Sequence, residues 1–250
     1  MSFPLRQVRI RQFKTVLPKA LLLALALVFL PAHAHAAAPA ARKKLILVTG
    51  FEPFGGDATN GSWEAVKDLS GRHFENSVVV AARLPVVWGK AAKKLRQLVR
   101  FYKPVAVISF GQAGAGPVRL ETTARNVRGA IPDNEGMLPQ AGIVYVGSPQ
   151  TLETTLPAPG IMVRLLAAGI PAEQSQDAGN YLCNDTFYNL MFNPGLNSAK
   201  MAPRGFIHVP PLGSRVRTSG GKTVVFNRQL LQRAAEVIVN TVAESINQEN

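Results

Sequence analysis

The 250-residue chain contains a single cysteine, Cys183. With no second thiol it can form no internal disulfide, so the fold must rest on a hydrophobic core rather than on cross-links. Histidine is scarce too, at four residues, and His33 and His35 fall in an N-terminal leader. One cysteine with the dispersed His73 and His208 offers no metal-ligand spacing, so no metal is expected. Acids number 15 against 28 Lys and Arg, a net charge of +13. Such a balance raises the question of nucleic acid. Lys90, Lys93, Lys94, Arg96 and Arg100 recur along one expected helix without interleaved aromatics, which make up only 7% of the chain. That pattern reads as a solvated cationic face, so nucleic acid is not an expected partner.

Long apolar runs are also missing. The run 20–30 falls well short of the ~20 residues of a spanning helix, so no stable membrane anchor is expected. Arg6, Arg9, Arg11, Lys14 and Lys19 precede it, and Ala32-His33-Ala34 and Ala34-His35-Ala36 follow. A basic start, a short apolar stretch and small-residue cleavage motifs describe a secretory signal peptide over 1–36, hence a periplasmic or secreted protein. The leader holds five of the 28 bases and no acid, so without it the charge is about +8. Residues 37–250 suit one domain with a substantial core.

Within that domain, apolar β-branched runs at 44–49, 78–84, 105–110, 142–146 and 205–209 read as buried strands. Helical spacing covers 62–69, 88–101, 158–168, 181–192 and a long final segment from 224 to about 246. Alternation of the two implies an α/β fold, a three-layer α/β/α sandwich with a mixed, mostly parallel sheet. Its Gly- and Pro-rich loops fall mostly after strands, where open α/β sheets place ligands.

Cys183 stands where a turn-forming run, Ser175-Gln-Asp-Ala-Gly-Asn-Tyr-Leu, gives way to a helix. A thiol there feels the positive end of the helix dipole, which favours the nucleophilic thiolate. A lone cysteine is otherwise often a small inert hydrophobe. His208 ends an expected strand and faces the ligand edge, which makes it the available base, whereas His73 sits in a polar turn. An acid should orient that base, and by chemistry alone Glu121 barely leads Asp133. Phe51 and Phe54, on the glycine-rich loop after the first strand, could sandwich a flat uncharged group or simply fill the core.

Taken in order, Gly50-Phe-Glu-Pro-Phe-Gly-Gly56, Gly111-Gln-Ala-Gly114, Glu121, Asn126, Ile131-Pro-Asp-Asn134, Ala178-Gly179 with Cys183-Asn184, and Gly205-Phe-Ile-His-Val-Pro210 resemble the pyroglutamyl-peptidase I family over nearly the whole mature chain. The resemblance implies a cysteine peptidase that removes an N-terminal pyroglutamyl residue from peptides, with no cofactor. It also implies Cys183 as nucleophile, His208 as base, Glu121 as orienting acid, and Phe51 and Phe54 as the lactam pocket. A homo-oligomer stays open. Relatives usually carry an Arg directly after the catalytic Glu and another before Ile-Pro-Asp-Asn; here Thr122 and Ala130 stand in those places. Arg119, Arg125 and Arg128 are the nearby candidates to replace them. Those losses motivate a competing reading, a non-catalytic periplasmic binding protein for pyroglutamyl or peptide ends.

Overall fold

Residues 44–192, 203–218 and 220–248 are described by a computed structural model. The expected signal peptide, 1–36, lies outside the described residues. In chain order the elements are β1 (Lys44–Phe51), α1 (Gly61–Val66), β2 (His73–Phe74), β3 (Ser77–Leu84), α2 (Lys90–Tyr102), β4 (Ala106–Gln112), β5 (Val118–Glu121), β6 (Thr123–Arg125) and β7 (Thr151–Glu153). They continue with α3 (Ala158–Ala167), β8 (Ala172–Ser175), α4 (Leu182–Phe192), β9 (Arg204–Val209), β10 (Arg215–Arg217), β11 (Thr223–Val225) and α5 (Arg228–Gln248).

Seven strands form one sheet in the order β2-β3-β1-β4-β9-β5-β8. The β3-β1-β4-β9 block is parallel, β2 pairs antiparallel with β3, and β5 runs antiparallel to β9 and parallel to β8. Side chains alternate across the pleat, so each buried strand feeds two cores. Ile46, Val48, Ile108, Phe110, Leu120, Ile207 and Val209 pack with residues of α1, α3 and α5. Leu47, Phe51, Val107 and Phe206 join residues of α2 and α4 on the opposite face. The sandwich is therefore three-layered, with α4 and its cysteine on the second face.

Two expected elements differ. The run 142–146 is not a strand. The Asn126 side chain accepts the backbone N–H groups of Val144 and Tyr145, both at 2.9 Å, and donates to Tyr145 O at 2.8 Å. The N–H of Arg128 bonds Gly142 O, and Val146 is 87% exposed. The segment's polar groups are thus satisfied inside a loop, and apolar composition could not say so. The final helix begins at Arg228 rather than 224, because Val224 and Val225 pair with β10 in a hairpin. Asn227 caps the helix, its side chain accepting the Leu230 N–H at 2.9 Å.

Candidate active site

Pleat parity decides which side chains meet. In β9, Phe206 and His208 face the α4 side while Ile207 and Val209 face away; in β5, Leu120 faces away and Glu121 faces α4. Antiparallel register sets Glu121 opposite Phe206, two residues from His208 on the same face. The Glu121 carboxylate lies 2.8 Å from His208 Nδ1. A carboxylate only accepts, so Nδ1 carries the hydrogen and Nε2 is left for a partner.

Cys183 lies on the same face of the sheet, close enough to His208 to raise its pKa. Glu121 is fully buried and His208 6% exposed, and Cys183, half-buried, can still be reached by a ligand. Burial alone would lower the imidazole pKa, but Cys183 and Glu121 together lift it to about 9. At neutral pH His208 therefore favours the imidazolium, a proton donor beside the sulfur. Gly111 pairs with His208 across β4 and β9, and a Cβ there would stand 2.7 Å from the Phe206 ring and 2.9 Å from Cys183 Sγ. Only glycine leaves room for the sulfur.

Asn184, fully buried, holds the start of α4 in place. Its amide accepts from Arg125 N at 2.9 Å and donates to Arg125 O and Val127 O at 2.8 and 2.9 Å. Asp133 does not join the histidine. It accepts the N–H groups of Trp88, Glu135 and Met137 and so braces a loop. Burial would raise its carboxyl pKa, yet the Met137, Trp88 and Glu135 N–H groups hold it below the usual value. His73 lies exposed on β2.

The three candidate arginines are all engaged. Arg119 pairs with Glu173 at 2.9 Å, Arg125 with Asp177 and with Gly179 O, and Arg128 with the fully buried Asp185 at 2.7 Å. Burial lifts the Asp185 carboxyl pKa, and Arg128, with a weaker pull from Arg96, draws it back only in part. Replacing Arg128 by Met leaves that acid without its main partner, and we expect a loss of about 3 kcal/mol in urea unfolding. The double substitution Arg128→Met, Asp185→Asn should recover part of it; a single variant as stable as the parent would refute a structural role for the pair.

Phe51 and Phe54 meet beside the thiol in a narrow cleft lined also by Asn60, Val86, Gln112, Tyr181, Leu182 and Cys183. Phe51 serves core and cleft together, being 2% exposed in the α2–α4 cluster. Neither Tyr181, two residues before the thiol, nor Gln112 is marked by the sequence as a cleft residue. Gln112 accepts the Gly61 N–H at 2.5 Å, and Asn60 caps α1 while donating to Glu52 O at 2.9 Å. The first bond ties the end of β4 to α1, and the second ties the phenylalanine loop to it. None of the cleft-lining residues is a carboxylate, so an N-terminal ammonium entering it would lose its hydration with no carboxylate to pair with.

Residues 44–245 match the family model described as pyroglutamyl peptidase. A pyrrolidone-carboxylate peptidase of Gloeobacter violaceus is 42% identical over 179 residues, 71% of this chain and 86% of that one. One from Cupriavidus pinatubonensis is 36% identical over 205 residues, 81% of this chain and 95% of its own. Among solved structures, pyroglutamyl peptidase I from Bacillus amyloliquefaciens superposes with a TM-score of 0.73 at 34% identity, covering 81% of this chain and 96% of that one.

Proposed function

This chain belongs to the pyroglutamyl peptidase family, and on that premise we propose that Cys183, His208 and Glu121 carry out its reaction, removal of an N-terminal pyroglutamyl residue from peptides. The observation that carries the assignment is the Glu121–His208 bond of 2.8 Å on the sheet face that also bears Cys183, with a carboxylate-free aromatic cleft at the thiol. Catalysis, rather than binding alone, accounts for an oriented base beside a reachable sulfur.

Cys183 Sγ attacks the pyroglutamyl carbonyl carbon, and the carbonyl π electrons move to oxygen. Backbone N–H groups in the first turn of α4 lack intrahelical acceptors and can receive that oxyanion; one such donor is typically worth ~3 kcal/mol. Collapse breaks the C–N bond, His208 Nε2 protonates the departing amine, and a thioester forms. Water, deprotonated by His208, then releases pyroglutamate and restores the thiol. Phe51, Phe54 and Tyr181 supply flat apolar surface for the lactam, which, unlike an ordinary N-terminus, carries no charge into the cleft. Export is inferred from the leader's basic, apolar and Ala-x-Ala segments alone.

A pyroglutamyl-amide reporter under reducing conditions tests the reading. We expect turnover, with a rate that falls as pH rises through about 9, because the proton His208 gives to the leaving amine is present below that pH and lost above it. No turnover by folded protein would sink the assignment. Turnover lacking an alkaline limb would remove His208 as the proton carrier.

A further inference from the structure

The loop that begins at Ile131 is held to the cleft by side chains rather than by a strand. Trp88 Nε1–H donates to Ile131 O at 2.9 Å, and Tyr181 O–H donates to Pro132 O at 3.0 Å. Two successive carbonyls are thus taken by two aromatic donors whose rings meet edge-to-face, 5.4 Å apart at 88°. The next residues are tied to the cleft as well. Asn134 donates its side-chain amide to Pro53 O at 2.8 Å and its backbone N–H to Val86 O at 3.0 Å, and Asp133 accepts from Trp88 N at 2.9 Å. The loop therefore touches three parts of the cleft wall: the Phe51–Phe54 turn, Val86 and Tyr181.

Tyr181 occupies the hinge of this arrangement. Its ring lines the cleft and lies tilted against Phe54 at 6.4 Å, while its hydroxyl reaches the loop and its backbone leads into Cys183. Ala130, at the head of the loop, has no side-chain group that could hold it by an ion pair.

We propose that Tyr181 and Trp88 form a polar clasp that fixes residues 131–134 against the cleft and thereby sets how tightly a lactam ring is held. The inference rests on the pyroglutamyl reading of the cleft. Burial, with the charges of Asp133 and Cys183, raises the Tyr181 phenol pKa, so it keeps its proton as a donor at neutral pH. Trp88 is a positioning residue, and the Tyr181 hydroxyl likewise acts through the loop, while the Tyr181 ring itself lines the cleft.

Tyr181→Phe and Trp88→Phe keep a ring and delete one hydrogen bond each. Three readings of the full-length enzyme decide the matter: hydrogen exchange over 131–137, protection of Cys183 from iodoacetamide by 2-pyrrolidone, and kcat with KM on the reporter. We expect faster exchange, protection and KM weakened about threefold in each single variant and about tenfold in the double, and kcat within about twofold. Alkylation without lactam should be unchanged in Trp88→Phe, whose ring does not line the cleft. Unaltered exchange and protection in the double variant would overturn the clasp, as would a loss confined to kcat. An unsubstituted enzyme that 2-pyrrolidone protects but that does not turn over the reporter would sink the peptidase reading and leave the clasp standing. Absence of protection in the unsubstituted enzyme would overturn the clasp as a determinant of lactam binding.

Discussion

Cys183→Ser should lower kcat on the pyroglutamyl reporter by at least about 10⁴-fold while leaving the protein folded. The substitution changes one atom at a half-buried position. Serine is nearly isosteric with cysteine, and Cys183 packs only at the margin of the α2–α4 core, as a partly buried neighbour of it. What disappears is the thiol, intrinsically far more acidic and more nucleophilic than the serine hydroxyl that replaces it. Urea unfolding should agree with the parent within about 1 kcal/mol, the scale of a near-isosteric change at a partly buried position. A variant retaining a tenth of the parent rate would eliminate Cys183 as the nucleophile.

Glu121→Gln is the second large effect, and it separates orientation from charge. Glu121 is fully buried and its Oε2 has no hydrogen-bond partner among the described residues, so its one observed bond is to His208 Nδ1. Glutamine has the same shape but can present an N–H to Nδ1, favouring the wrong tautomer. It also removes the negative charge that stabilises the imidazolium. By analogy with orienting carboxylates in triads, kcat should fall about 10³- to 10⁴-fold. The pH profile gives an independent reading. Two of the influences raising His208 come from Glu121, so without them the alkaline limb should move down from about 9. Asp133→Asn provides the contrast, since Asp133 braces Trp88, Glu135 and Met137 and makes no bond to His208. Equal losses of kcat in the two variants would refute the orienting role of Glu121.

These residues differed in how far local sequence revealed them. The thiol at a helix start and the histidine at a strand end could be read from spacing, because turn residues before α4 and β-branched residues in β9 are local signals. Phe51 and Phe54 were visible as an oddity on a ligand-edge loop. Glu121 was not separable from Asp133 by chemistry alone, and the family resemblance made that choice. Tyr181 gave no signal beyond its nearness to Cys183, since its function in the loop depends on a hydroxyl meeting a carbonyl 49 residues away. The same long reach hid the real character of 142–146, whose β-branched composition promised a strand and whose backbone instead bonds to Asn126.

Sequence by itself determined the alternation of helix and strand, the apolar periodicity that makes a layered α/β core, and the thiol and imidazole at the sheet's ligand edge. Those properties are written in periods of two and 3.6 residues and need only neighbours along the chain. Tertiary structure alone decided that β5 would enter the sheet antiparallel to β9, which brings Glu121 to the face shared by His208 and Cys183. It also decided that Arg119, Arg125 and Arg128 would be held in ion pairs and that Trp88 and Tyr181 would grip the 131–134 loop. Each depends on strand order, register or a contact between distant segments, and the physical reason is the pleat: one residue of register moves a side chain to the opposite face.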